Sequence, residues 1–319
     1  MPVVTAISEN IDRAATLLRK GGVVAFPTET VYGLGAQAFD RTAVARIFEI
    51  KGRPAFDPLI VHVLDAAMLD RVAAAIPPEA QRLAGRFWPG PLTLVLPKRS
   101  EVPDLVTSGL PTVAVRMPAH GVARALLERV GAPLAAPSAN PFGRLSPTRA
   151  EHVASGLNDR ADLILDGGPS PLGLESTIVA FAAMPQLLRR GAIPLEDLEA
   201  VVGPLEIPAA DAGEAPMAPG RLSAHYAPRT PIRVVGFGAV SVPDRSEAGA
   251  LAFREAPQGY RAVRVLAPSG DLREAAGRFF EYLHDLDREG VTRIDAEPLP
   301  DRGLGAAMME RLRRATFSA

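Results

Sequence analysis

VVAFPTETVYGLGAQAFDRTAVARIFEIKGRPAFDPLIVH, residues 23–62, is the stretch from which the rest of the chain is read. Val23 to Phe26 is a short apolar run set between Gly21-Gly22 and Pro27, the pattern of a buried strand. Thr28 to Gly35 reads as a polar, glycine-rich connection. Asp40 is placed to cap a helix whose apolar face is Val44, Ile47 and Phe48, and Gly52 is placed to end it. Lys51 and Arg53 fall at the helix exit, and a second strand, Leu59 to Leu64, carries His62. Hydroxyls, cations and an imidazole therefore gather at strand ends, where open α/β sheets hold ligands. Taken singly, these residues need do no more than shape a turn and finish a helix. Composition favours more. Lys20, Lys51 and Lys98 are the only lysines among 35 Lys and Arg, so a lysine next to an arginine in Lys51-Gly52-Arg53 stands out. Lysine offers a point charge to phosphate or carboxylate, and arginine a planar fork.

Working outward, 319 residues suggest one to three domains, and an apolar share of 47% is enough for a sizeable core. A net charge of −1 carries no basic surplus of the kind that marks nucleic-acid binding. The absence of cysteine excludes disulfides, thiolate catalysis and cysteine-held metal. Asp12, Arg13, Arg19 and Lys20 interrupt any signal-peptide core, and no apolar run approaches the roughly 20 residues of a membrane span. The expected setting is cytoplasmic, with no membrane partner.

Glycines, prolines and periodicity then divide the chain. Helices are expected at Ile11–Lys20, Ala66–Ala75, Glu79–Trp88, Ala119–Val130 and Pro194–Val202, with a further one starting from the capping box Thr148-Arg149-Ala150-Glu151. Strands are expected at Leu92–Leu96, Thr112–Met117, Pro133–Ala136, Leu163–Leu165, Thr177–Phe181 and Gln186–Arg189. Gly203 to Pro231 is rich in Pro, Ala and Gly, lacks an apolar period and is long for a loop inside a domain. It reads as a linker. Beyond it come strands Ile232–Phe237, Ala262–Leu266 and Thr292–Ala296, with helices Asp271–Arg288 and Gly303–Thr316. This alternation predicts a small α/β unit with mainly parallel strands. The expected division is 1–203, a linker at 204–231, and 232–319.

Several motifs carry possible chemistry. Walker A, Gly-x-Ser-x-Gly and His-Glu-x-x-His patterns are absent, and the five histidines lack zinc-ligand spacing. Thr112–Met117 is an alternating strand ending in Arg116, which suits either an exposed strand end or an anion. Pro137-Ser138-Ala139-Asn140 with Ser146-Pro147-Thr148 is a strand-to-helix turn, read either as a capped turn or as a phosphate cradle at a helix N-terminus. Glu175-Ser176-Thr177-Ile178 starts a strand, and Arg189-Arg190 is a further cation pair. Within the linker, Pro219-Gly220-Arg221-Leu222-Ser223-Ala224-His225-Tyr226-Ala227-Pro228 has more character than a tether needs. No base-activated nucleophile stands out, so the remaining catalytic levers are positioning and electrostatic stabilisation.

Phe26–Leu34, Lys51–Pro54, Pro58–His62, Ser138-Ala139-Asn140 and Ser146-Pro147-Thr148 together resemble the YrdC-like family in its two-domain form, and the resemblance covers essentially the whole chain. It implies an α/β fold: a large twisted mixed-sheet domain followed by a smaller Rossmann-like α/β domain. It implies a nucleotidyltransferase that makes threonylcarbamoyl-AMP and pyrophosphate from L-threonine, bicarbonate and ATP, for tRNA threonylcarbamoyladenosine. Thr28, His62, Arg116 and Ser176 would hold threonine. Lys51, Arg53, Ser138, Asn140, Ser146, Arg189 and Tyr226 would hold ATP, with Lys51 and Arg53 offsetting charge on the phosphates. Mg²⁺ would arrive on ATP oxygens. Partner proteins would carry the product to tRNA, which the chain would meet indirectly, and the segment around Tyr226 would fold over the site. Phe142 stands where serine is frequent and Arg190 where proline is frequent. Arg221 to Ala224 also departs from some relatives. A contrasting reading is an RNA-binding module, but aromatics amount to only 5% and do not interleave with cations. A carbamoyl-AMP-forming maturation protein would carry cysteine-rich zinc fingers, which this chain lacks.

Overall fold

Asp40 and Gly52 bound the helix that ends in Lys51. The Asp40 carboxylate accepts from the amides of Thr42 and Ala43, satisfying two donors that open the helix Arg41–Lys51. Gly52 adopts a left-handed φ of 61° and closes it, leaving Lys51 as its last residue. The computed structural model describes residues 2–208 and 226–316.

Ten strands form the larger sheet: β1 Val3–Thr5, β2 Val24–Phe26, β3 Gly33–Gln37, β4 Ile60–His62, β5 Leu92–Pro97, β6 Thr112–Arg116, β7 Leu134–Ala135, β8 Leu163–Asp166, β9 Thr177–Phe181 and β10 Pro185–Arg189. Their order is β1-β8-β2-β3-β7-β4-β6-β5-β9-β10, with parallel and antiparallel pairs mixed. A smaller, wholly parallel sheet holds β11 Ile232–Val234, β12 Ala248–Ala252, β13 Ala262–Val265 and β14 Arg293–Ala296 in the order β11-β14-β12-β13. The expected mixed-sheet and small α/β architecture is therefore present.

Register places the chemistry. His62 is paired with Arg116 across the parallel β4–β6 ladder, and Arg116 is paired with Thr93 across the antiparallel β5–β6 ladder. Paired residues share a face of the pleat, so three polar side chains line up across neighbouring strands.

The two units are packed together. The second apolar core is built on Phe279, Phe280, Leu283 and Leu312, and it also takes in Val31, Leu145, Leu174 and Tyr226. Gly173, at φ 65°, lets its loop meet the helix Leu272–Arg288; a Cβ there would stand 2.2 Å from the Ala276 carbonyl oxygen. The helix Leu195–Val202 and Leu205 bury Leu198 and Leu205 in the first core. Glu206 extends the sheet edge by pairing with Gln186, and Ala227 bridges to Arg144. Both described ends of the expected linker are thus tied to the first unit. Residues 209–225, which include Arg221 to His225, lie outside the described residues.

Four sequence expectations change. Gly33 to Gly35, expected as the end of a polar connection, instead begin β3, because every residue of β3 but Gln37 is buried between β2 and β7. The Thr148 capping box does not form. Arg149 is the N-cap and makes no side-chain cap, while the Thr148 amide and hydroxyl turn to His152 Nδ1. The strand β12 has no predicted counterpart although it is central to the second sheet. The helix expected over Ala66–Ala75 ends at Leu69. Among the described residues no helix is long and apolar enough to cross a membrane.

Candidate active site

The polar residues of β4, β6, β9 and β10 meet the 28–33 and 136–138 segments around one cleft. Thr28, Arg53, His62, Arg116, Ser138, Ser176, Arg189 and Tyr226 all line it. Eight of the eleven expected side chains, drawn from positions up to 198 residues apart in sequence (Thr28 to Tyr226), therefore share one concave surface.

The turn at Thr28 is local. Its hydroxyl donates to the Val31 carbonyl at 2.6 Å and accepts from the amides of Thr30 and Val31. Thr30 in turn receives Arg116 Nη1 at 2.7 Å, and Arg116 Nη2 pairs with Glu29 at 2.6 Å. Nε donates to the Gly90 carbonyl, so the guanidinium is held on three sides. Burial pushes the Glu29 carboxyl up, but Arg116 outweighs it and leaves the acid below its ordinary range. Burial, then the Arg116 charge, drives His62 down to about 3, so its imidazole is neutral at pH 7. His62 Nδ1 is buried with no hydrogen-bond partner among the described residues, leaving it available to a ligand.

The opposite wall is also pre-arranged. Arg53 pairs with Asp57 at 2.9 Å and donates to the Asp57 and Pro58 carbonyls. Arg189 donates Nε and Nη2 to the Ser176 carbonyl and Nη2 to its hydroxyl. The Ser176 hydroxyl also meets Thr93 Oγ1 at 2.7 Å. Tyr226, at φ 66°, sits with its ring 5.9 Å from that of Phe280. A non-glycine residue in this region is strained and marks a position fixed by its surroundings.

Three expected residues stand elsewhere. Lys51 is buried, and its ammonium donates to the carbonyls of Ser138 (2.6 Å) and Asn140 (2.5 Å). It grips the back of the Ser138–Asn140 loop rather than lining the cleft. Burial and then Arg53 push its pKa well below the ordinary lysine value. Ser146 is fully buried and gives its hydroxyl to Glu175 at 2.5 Å. Asn140 lines a neighbouring cleft with Arg144, His152 and His284. Its Nδ2 holds the Pro141 and Arg144 carbonyls, while Oδ1 is buried without a partner among the described residues.

Glu29, Glu175 and Arg311 were not identified from sequence. Glu175 opens the Glu175-Ser176-Thr177-Ile178 segment, but nothing near it in the chain signals its partner, which comes from the helix Gly303–Thr316. Among the described residues no group of three His, Asp or Glu side chains could hold a metal.

An α/β sheet with buried guanidiniums, a neutral imidazole and hydroxyls around one cleft defines a class: proteins that hold an anionic ligand together with a small polar one. Comparison with known proteins narrows it. A family model of Sua5, YciO and YrdC, described as "Telomere recombination", matches residues 16–191, and one described as "Threonylcarbamoyl-AMP synthase, C-terminal domain" matches residues 193–316. Threonylcarbamoyl-AMP synthase of Pyrococcus abyssi is 44% identical over 99% of this chain and 98% of its own length. That of Bacillus subtilis is 44% identical over 96% and 92%. The crystal structure of P. abyssi Sua5 complexed with L-threonine superposes with a TM-score of 0.92 at 42% identity, covering 99% of this chain and 98% of that one. The chain belongs to the two-domain threonylcarbamoyl-AMP synthase family.

Proposed function

We propose that this chain forms threonylcarbamoyl-AMP from L-threonine, bicarbonate and ATP. The observation that carries the reading is the convergence of Arg53, Arg116, Arg189 and neutral His62 on one cleft. The chain resembles, over nearly its whole length, a protein crystallised with L-threonine.

The threonine amine takes up bicarbonate, loses water and becomes a carbamate. A carbamate oxygen then attacks the α-phosphorus of ATP, forming the mixed anhydride as the bond to pyrophosphate breaks. Such transfers depend on positioning and on stabilising charge that spreads over phosphate oxygens. Arg116 is positioned for the threonine carboxylate, with Glu29 and Thr30 fixing its plane. Thr28, Ser176 and the Nδ1 edge of His62 supply the remaining polar contacts to the amino acid. Because His62 is neutral, it adds no charge that would oppose a threonine ammonium.

Arg53, Arg189 and Ser138 face the nucleotide, and Tyr226 closes over it. Lys51 works from behind by drawing together the carbonyls of Ser138 and Asn140, which shapes the loop that receives phosphate. Asn140 and Ser146 belong to the same nucleotide wall, Asn140 through its loop and Ser146 through Glu175. Mg²⁺ would be carried on ATP oxygens, where it would offset phosphate charge beside Arg53 and Arg189. The product then passes to proteins that modify tRNA.

The test is pyrophosphate release by purified protein. Release should require threonine, bicarbonate, ATP and magnesium together. Release that is indifferent to threonine overturns the reading. Tight, steeply salt-dependent RNA binding without ATP would support the RNA-binding alternative instead.

A further inference from the structure

Arg311 lies on the helix Gly303–Thr316 of the second unit, is 1% exposed, and is the largest fully buried side chain among the described residues. Its Nε donates to Glu175 Oε2 at 3.0 Å, and Nη2 stands 3.0 Å from the same oxygen. Nη1 donates to the carbonyls of Arg190 at 2.7 Å and Ala307 at 3.0 Å. The guanidinium carbon is 5.4 Å from the centre of the Tyr226 ring. Arg311 does not line the cleft, but Glu175 and Tyr226 do. The other Glu175 oxygen accepts the Ser146 hydroxyl. One cation from the four-stranded unit therefore touches an acid of the cleft wall, the carbonyl next to Arg189 and an aromatic ring that lines the cleft.

We propose that Arg311 is a positioning residue for the adenylate-forming reaction: it locks Glu175, the Arg189-Arg190 turn and Tyr226 in their binding arrangement, so that the four-stranded unit completes the cleft. The inference rests on the threonylcarbamoyl-AMP reading. It follows from geometry that only a guanidinium supplies, since Nε and Nη2 converge on one carboxylate oxygen, Nη1 reaches two carbonyls and the flat face meets an aromatic ring. A point charge could neutralise Glu175 but could not reproduce the fork.

The electrostatics give a readout distinct from general damage. Burial favours the protonated form of Glu175, but Arg311 and then Arg189 overcome it and hold the carboxyl below its ordinary range. Without Arg311 the buried acid takes up a proton at higher pH. Its hydrogen bond with Ser146 and its field at the nucleotide wall change with that proton.

The experiment measures threonine-dependent pyrophosphate release by the full chain between pH 4 and 9, for the wild type, Arg311→Met, Arg311→Lys and the double variant Glu175→Gln/Arg311→Met. Arg311→Met should lose about tenfold or more in kcat/KM for ATP, and its acid limb should move up by about one pH unit or more. Arg311→Lys should return the limb toward its wild-type position but recover only part of the rate. A folded Arg311→Met with wild-type kcat, KM and pH profile overturns the proposal, as does a lysine variant whose limb is displaced as far as that of methionine. Should Arg311→Met fail to fold, the double variant, which leaves no orphaned carboxylate, carries the test: a depressed rate with no displaced limb supports the proposal, and a wild-type rate overturns it. If the wild type shows no threonine-dependent release, the functional reading has failed. Thermal unfolding of Glu175→Gln, Arg311→Met and their double variant then tests the pair itself, and additive effects overturn it.

Discussion

Buried charge is shared unequally between the two units. In the ten-stranded unit the Arg116–Glu29 pair leaves 4% and 9% of its side chains exposed, and Arg53–Asp57 leaves 3% and none. In the four-stranded unit Arg264–Asp285 and Arg278–Glu274 leave 29% or more of every side chain in contact with water. Both are ion pairs, but they do different work. Water weakens an exposed pair to a fraction of a kcal/mol, whereas a buried charge must be held in place or it destabilises the fold. The first unit keeps its charges dry where they surround the cleft. Among the described residues of the second unit Arg311 and Asp295 are the buried charged ones, and Arg311 faces the first unit.

The contrast can be broken by experiment. Arg116→Ala leaves Glu29 buried without its cation, so thermal or urea unfolding should show a loss of about 3–5 kcal/mol. Threonine-dependent pyrophosphate release should fall about 100-fold or more. A change no greater than that of a surface arginine would erase the distinction between the units.

The seam between the units should respond to acid. His152 from the first unit and His284 from the second stack with ring centres 3.9 Å apart and planes 20° from parallel. Burial, then the neighbouring histidine and arginine charges, lowers His152 to about 2; burial is also the main cause that lowers His284 to about 4. An unfolded histidine takes up a proton near pH 6.5, while the folded ones stay neutral to lower pH. Their contribution to stability is therefore complete above about pH 6.5 and is lost as the pH falls toward these folded values, with His62 adding to the same slope. His152→Gln should flatten the fall in unfolding free energy by about 1.4 kcal/mol per pH unit across the upper part of that window. An unchanged slope would show that the stacked ring does not titrate as its surroundings require.

Lys51→Ala tests the support behind the cleft. Its two carbonyl contacts are lost, and the rate should fall about tenfold, or about 1.4 kcal/mol of barrier. Pyrophosphate release at saturating ATP checks this, and a wild-type rate would show that the Ser138–Asn140 loop holds itself. At the small end, Arg264→Ala should change stability by less than about 1 kcal/mol and leave activity alone, as measured by urea unfolding and the same assay.

Local signals account for what the sequence revealed. Asp40 and Gly52 specify a helix by themselves, and both caps form. Alternation with a terminal arginine marked β6, and its parallel partner β4 carried the imidazole. Features that depend on distant partners were hidden. Gly33-Leu34-Gly35 reads as the end of a connection, but burial between two strands makes it the start of β3. β12 is Ala-Gly-Ala-Leu-Ala, without β-branched or aromatic residues, and gains its place from neighbours on both sides. The Thr148 box followed a sound local rule that His152 overrode. Lys51 was singled out for its rarity, but its aim at two carbonyls depends on a loop 87 and 89 residues away.

The distance between Glu175 and Arg311 along the chain is 136 residues. At ribosomal speeds of about 5–20 residues per second, roughly 7–27 s separate their synthesis. During that interval the nascent first unit carries an acid whose guanidinium has not yet been made. The Glu175 side of the cleft thus matures after both sheets, and a nascent chain halted before Arg311 would hold every strand while Glu175 still lacked its cation.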